Sequence, residues 1–164
     1  MDMNKIKVVG FLQNPWSPFY AGDTWPRESW LKALWKSRSG QRLKLMLCDE
    51  IGFWFDNATP IVCENPKDVI PPDINHIRKI LSEQKPDIII TFGVHAAGGV
   101  MAVRNEFSQP LMILPHPTYR VVSNKLFLMA LEQVKKGFVG QIKYMPTRNG
   151  EIKITVLNQG EKVA

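Results

Sequence analysis

"PDIIITFGVHAAGGVMAV", residues 86–103, joins a run of β-branched residues to a small-residue segment through a single glycine. Three consecutive isoleucines and a threonine, with no polar alternation, predict a strand buried on both faces, the habit of a central parallel strand. Gly93 then turns the chain, and the Ala- and Gly-rich stretch behind it reads as a helix. A strand followed at once by a helix is half of a βαβ unit, so matching halves are expected on either side.

They are present. "KIKVVGFL" (5–12) and "QPLMILPHP" (109–117) are apolar runs that stop at proline-bearing turns, as buried strands do. Helical spacing relates Trp30, Leu31, Leu34 and Trp35 in "WPRESWLKALWKSR" (25–38), with Pro26 near the start and Gly40 closing the helix. Asp73 caps "DINHIRKILSEQ" (73–84), whose Ile74, Ile77, Ile80 and Leu81 share a face, and "NKLFLMALEQVKKGF" (124–138) is a further helix. "RLKLMLCDE" (42–50) alternates basic and apolar residues before turning acidic, which predicts a second strand with Asp49 and Glu50 at its carboxyl end. The turn-rich stretch 51–72, with Phe53, Trp54 and Phe55 adjacent, reads as a long surface loop. Two alternating runs flank Asn149-Gly150, a hairpin signal. The expectation is one α/β domain over 1–164, with three α/β/α layers around a parallel sheet of about four strands. Its core lies in 5–138, and an antiparallel hairpin is appended at 138–160.

A chain of 164 residues buries about 70% of its unfolded surface, enough for a core without staples. Lys and Arg number 21 against 15 Asp and Glu, a net charge of +6 that favours a polyanionic partner. Cys48 and Cys63 lack a CxxC spacing, so a thiolate-held zinc or iron–sulfur centre has too few ligands. The chain shows no secretory leader pattern and no apolar run near the about 20 residues that span a bilayer, which points to a cytosolic protein without a membrane partner.

Ligands of parallel sheets bind at the carboxyl ends of strands. Two such ends share a pattern, "FLQNP" (11–15) and "MILPHP" (112–117): an apolar strand, a polar residue, then a proline that fixes the backbone. Singly, Asn14-Pro15 is a plain turn and His116 a hydrogen-bonded core histidine; at matched strand ends they read as two walls of one cleft.

In this setting the chain resembles the uracil-DNA glycosylase superfamily. "GFLQNPW" (10–16) is similar to that family's strand-ending Gly-Gln-Asp-Pro-Tyr or Gly-x-Asn-Pro-Gly, "LPHPTYR" (114–120) to its His-Pro-Ser segment, and "PDIIITFGVHAAGGV" to the strand and Ala-Ala helix between them. The three motifs run in the family's order across residues 5 to 138. The resemblance implies a monofunctional DNA glycosylase that acts as a monomer on a flipped-out base and leaves an abasic site, with no metal or cofactor. The iron–sulfur cysteines of some relatives are absent.

The resemblance assigns Asn14 to orienting the attacking water and His116 to donating a hydrogen bond to the departing base. Gln13, Trp16, Tyr20 and Trp25 would bind the base, Trp25 by stacking with Phe19 or Tyr20 as alternatives. Trp16 either closes the pocket or offers a flat face to a bulky substituent at C5. Thr118, Tyr119, Arg120, Ser123 and Lys125 form the segment that would grip DNA. Relatives that excise uracil carry an Asn at the end of the second strand, where this chain is expected to carry Asp49. A carboxylate accepts without donating, which suits the exocyclic amine of a cytosine-type base. On that reading the substrate is a C5-modified cytosine, with defence against phage carrying modified DNA as one extrapolation. A uracil or mismatch-uracil repair glycosylase and a catalytically silent DNA-binding domain of the same fold are the alternatives. His76 and His95 carry no expected role.

Overall fold

The computed structural model describes residues 5–17, 19–65, 67, 70–119 and 121–157. Six strands form one sheet: β1 (Ile6–Leu12), β2 (Ile51–Asn57), β3 (Ile88–Phe92), β4 (Leu111–Leu114), β5 (Gln141–Pro146) and β6 (Ile152–Leu157). Their spatial order is β2-β1-β3-β4-β5-β6. The first five run parallel, and β6 returns antiparallel to β5. The C-terminal hairpin therefore continues the central sheet, because β5 pairs with β4 through Leu111↔Gln141 and Ile113↔Lys143.

Among the described residues, five α-helices cover the sheet: α1 (Arg27–Lys36), α2 (Arg38–Leu43), α3 (Ile74–Gln84), α4 (Val94–Ala102) and α5 (Asn124–Lys136). Alternation along the strands sends Val8, Leu12, Ile88 and Ile90 to one face, where they pack with Leu34 of α1, Leu43 of α2 and Phe127 of α5. Val9, Phe11, Ile89 and Leu111 go to the other, against Ile77 of α3 and Val100 of α4. This is the three-layer arrangement expected. Among the described residues, no helix is long and apolar enough to cross a membrane.

Residues 42–50 do not form a strand. The Ser37 side chain accepts from the Gly40 backbone N–H and starts α2, which places Gly40 inside a second helix rather than at the end of the first. A Cβ at Gly40 would collide with the Leu34 carbonyl, so glycine is what lets the two helices meet. The alternation of Leu43, Leu45 and Leu47 mimicked a strand, but the two fully buried positions, Leu43 and Met46, are three apart and belong to a helical turn. The true second strand is "IGFWFDN", residues 51–57, the first part of the expected surface loop.

Asp49 is displaced accordingly. It lies in the turn that enters the amino end of β2, where the Ile6 N–H donates to the Glu50 carbonyl at 2.9 Å. A seven-residue strand separates it from the carboxyl edge of the sheet by about 20 Å. Asp49 is thus no part of the cleft that holds Asn14 and His116, and it reads no base there.

Candidate active site

The switch in strand order falls at β1, whose chain leaves to β2 on one side while β3 lies on the other. The crevice beyond the carboxyl ends at such a point is where open parallel sheets hold ligands. Here it is a cleft of about 670 Å³, lined by Gln13, Asn14 and Trp16 after β1, Asn57 at the end of β2, and His116 and Thr118 after β4. Trp30 and Leu34 of α1 form its back wall. Tyr20 stacks on Trp25 at 5.3 Å between ring centroids, giving one side an aromatic wall. Trp16 is half exposed at the lip.

His116 owes its position to Pro115 and Pro117 and to Gly93, which turns from β3 into α4 at φ +95°. A Cβ there would stand 3.3 Å from that of His116, so the glycine serves both the left-handed turn and the imidazole above it. The Thr118 backbone N–H points at His116 Nδ1 at 3.2 Å, which makes Nδ1 an acceptor. The Thr118 hydroxyl then donates to the same nitrogen at 2.7 Å. With Nδ1 accepting, the neutral ring carries its proton on Nε2. Burial pushes the imidazole pKa down to about 4, so the neutral form prevails at pH 7. Thr118 therefore meets the ring with both its backbone N–H and its hydroxyl.

Asn14 is held from the far side of the cleft. Its amide Nδ2 donates to the Pro15 carbonyl at 3.2 Å and approaches Cys63 Sγ at 3.1 Å. Among the described residues, its Oδ1 is buried with no hydrogen-bond partner, as is the indole N–H of Trp25. An unmatched buried acceptor costs about 1–3 kcal/mol, which is tolerated where the group has other work. The hold on Asn14 comes from the loop after β2. Cys63 N–H donates to the Pro15 carbonyl at 2.9 Å and the Cys63 carbonyl accepts from Ser17 at 2.7 Å. Val62 exchanges bonds with Asp23 and Gly22 at 2.9 Å each. Residues 61–63 thus run as a short strand between the two limbs of the 13–25 loop.

Asn57 is 6% exposed, and its side chain makes no hydrogen bond among the described residues. Its backbone N–H donates to Asp56 Oδ1 at 2.8 Å. Burial would raise the Asp56 pKa, but hydrogen bonds from His76, the Asn57 backbone and the Trp54 indole hold it below the usual range. Arg27 lies over the Trp54 ring at 3.6 Å and donates to the Phe55 carbonyl at 2.7 Å. His76 thus has a structural role: with Arg27 it ties the end of edge strand β2 to α1 and α3.

Of the residues expected to form the site, Gln13, Asn14, Trp16, Tyr20, Trp25, His116 and Thr118 line one cleft. Tyr119 is exposed and turned to a neighbouring groove. Ser123 and Lys125 are exposed at the start of α5, Ser123 in the N-cap position without a side-chain cap bond. Arg120 lies outside the described residues. Asn57, Cys63 and Arg42, which donates to the Pro117 and Tyr119 carbonyls at 3.2 and 3.3 Å, are additions. A pattern search for a polar residue ending an apolar run would have found Asn57 once β2 was placed; nothing local marks the other two. Among the described residues, no three His, Cys, Asp or Glu side chains are placed to share a metal ion. No family model, curated protein or solved structure matches the chain.

Proposed function

We propose that the protein is a DNA glycosylase that hydrolyses the N-glycosidic bond of a base held in this cleft. The observation that carries the reading is the convergence of a neutral Nε2–H donor at His116, an unpartnered acceptor at Asn14 and the amide of Asn57 at three strand ends. Water oxygen bonds to C1′ as the C1′–N bond breaks, and the bonding pair leaves on the base. Asn14 Oδ1 accepts from the water and orients it. His116 Nε2–H donates to the base carbonyl as negative charge grows there, so the stabilisation is greatest in the transition state. The amide of Asn14 takes no proton, and the proton shed by the water passes to solvent.

Asn57 occupies the place in which Asp49 was expected, and that changes the base. An amide offers one donor and one acceptor side by side, the complement of the imide edge of uracil or a related base. The base is therefore a keto base, as in the repair-type alternative, and not a cytosine-type one. The test is a panel of oligonucleotides with different bases, incubated with the protein and then treated with alkali. The expected result is strand cleavage at uracil-type positions, lost in N14A and H116A. DNA binding with no abasic product from any member of the panel would leave only the silent binding domain.

Cys63 gives a graded check. Its sulfur is one of two acceptors that fix which end of the Asn14 amide is Oδ1. C63A is expected to slow single-turnover base release about five- to tenfold, the worth of one modest hydrogen bond, with DNA affinity unchanged. C63S, which restores an acceptor, should recover most of that loss; equal rates in all three proteins would remove Cys63 from the positioning of Asn14.

A further inference from the structure

Helices α3 and α4 cover β1, β3 and β4 on their face of the sheet, and no residue of β5 or β6 joins that core. That face of β5 and β6, which no helix covers among the described residues, presents Gln141, Lys143 and Met145 of β5 beside Leu157, Thr155 and Lys153 of β6, paired in that order. Between it and α4 runs a groove of about 770 Å³ that shares Gln13 and His116 with the first cleft. Those two residues line both spaces, so the groove lies directly beside the first cleft.

Three features say what the groove takes. Its lining is apolar and soft, with Met101 from α4 and Met145 and Leu157 from the sheet, and Gln141 and Thr155 as polar groups among them, the mixture that suits flat heterocycles. Lys143 and Lys153 are diagonal neighbours on the same face, exposed, and neither forms an ion pair among the described residues. Like charges so placed repel, and a polyanion would relieve them. The third is Gly98, inside α4 and on the groove. Gly99 beside it must be small, since a Cβ would come within 2.6 Å of Ile77 and 2.7 Å of Pro72. A Cβ at Gly98 meets nothing within 4 Å, yet glycine in a helix interior costs about 1 kcal/mol against alanine. Packing gives no reason for it; keeping the groove open does.

We propose that this groove binds the unpaired nucleotides of a single DNA strand that adjoin the base held in the first cleft. Bases lie between Met101 of α4 and the Met145 and Leu157 side of the sheet, and the phosphates run past Lys143 and Lys153. The inference rests on the glycosylase reading for the identity of the strand, and the protein then favours single-stranded over duplex substrates.

The test is equilibrium binding of a fluorescein-labelled thymidine 12-mer and of a 12-base-pair duplex, with hydrogen exchange on the bound protein. G98F fills the groove without a backbone demand, and K143E/K153E reverses its charge. Each is expected to weaken the single strand at least tenfold, while the equally charged control K32E/K79E weakens it less than threefold. Exchange in α4 and β5–β6 should slow on adding the 12-mer. Groove variants that bind the 12-mer like the wild type, protection confined to the first cleft, or a duplex bound more tightly than the single strand would each overturn the proposal. Base release reports separately: groove binding without release from any substrate removes the glycosylase and leaves the groove, and release with an unprotected groove does the reverse.

Discussion

N57D is expected to invert the base preference of the cleft. Asn57 sits at the carboxyl end of β2, 6% exposed, with a side chain that makes no hydrogen bond among the described residues. Its amide therefore has both a donor and an acceptor to spend on a ligand. An aspartate at the same place keeps the shape and loses the donor, so it repels a base carbonyl and accepts from an exocyclic amine. Discrimination of this kind is worth about 1–3 kcal/mol, so release of a uracil-type base should fall about 10- to 100-fold, and release of a cytosine-type base should rise from background. The backbone bond from residue 57 to Asp56 does not involve the altered group, and the fold should be retained, which a thermal melt would verify. N57A provides the contrast, since it removes donor and acceptor together and should depress release of both bases. Measured over the same oligonucleotide panel, an unchanged preference in N57D would show that Asn57 does not touch the base edge.

Much of this was legible in the sequence, and the exceptions have physical causes. The isoleucine run 88–90 could only be a strand buried on both faces, and all of its residues are buried. The proline-closed ends of β1 and β4 located Asn14 and His116 because proline marks where an apolar run must stop. Residues 42–50 misled because basic–apolar alternation over a few residues satisfies period two while their buried pair follows the helical period. The second strand accordingly starts nine residues later than the alternation suggests, and its carboxyl end carries an amide and not a carboxylate. The aromatic triplet of β2 looked like a loop because an edge strand buries neither face fully: Phe53 and Trp54 are only partly covered. Cys63 and Arg42 were invisible for a different reason. They act on loops 49 and 75 residues away through contacts that no local pattern records.

H116A is expected to cost more than any other single change, because in the proposed reaction the imidazole is the group aimed at the developing charge. Removing one preorganised donor of this sort costs about 10²–10³ in rate, with little effect on binding of the undistorted substrate. The pH profile separates this role from a merely structural one. An exposed histidine titrates near about 6.5 and would give an acid limb there. His116 is held neutral by burial down to about pH 4, so base release should stay level from pH 8 to about pH 5 and fall only as the ring protonates near pH 4. The cause of that fall is geometric: a proton on Nδ1 confronts the Thr118 N–H that now points at it from 3.2 Å. Stability follows the same sign. The folded pKa lies below the unfolded one, so the contribution is complete above the unfolded value and is lost as pH falls through the folded value. NMR titration of the His116 ring together with single-turnover rates would check both halves. A limb near pH 6.5 in both would mean an exposed, cationic imidazole, and the neutral donor at the centre of the mechanism would have to be abandoned.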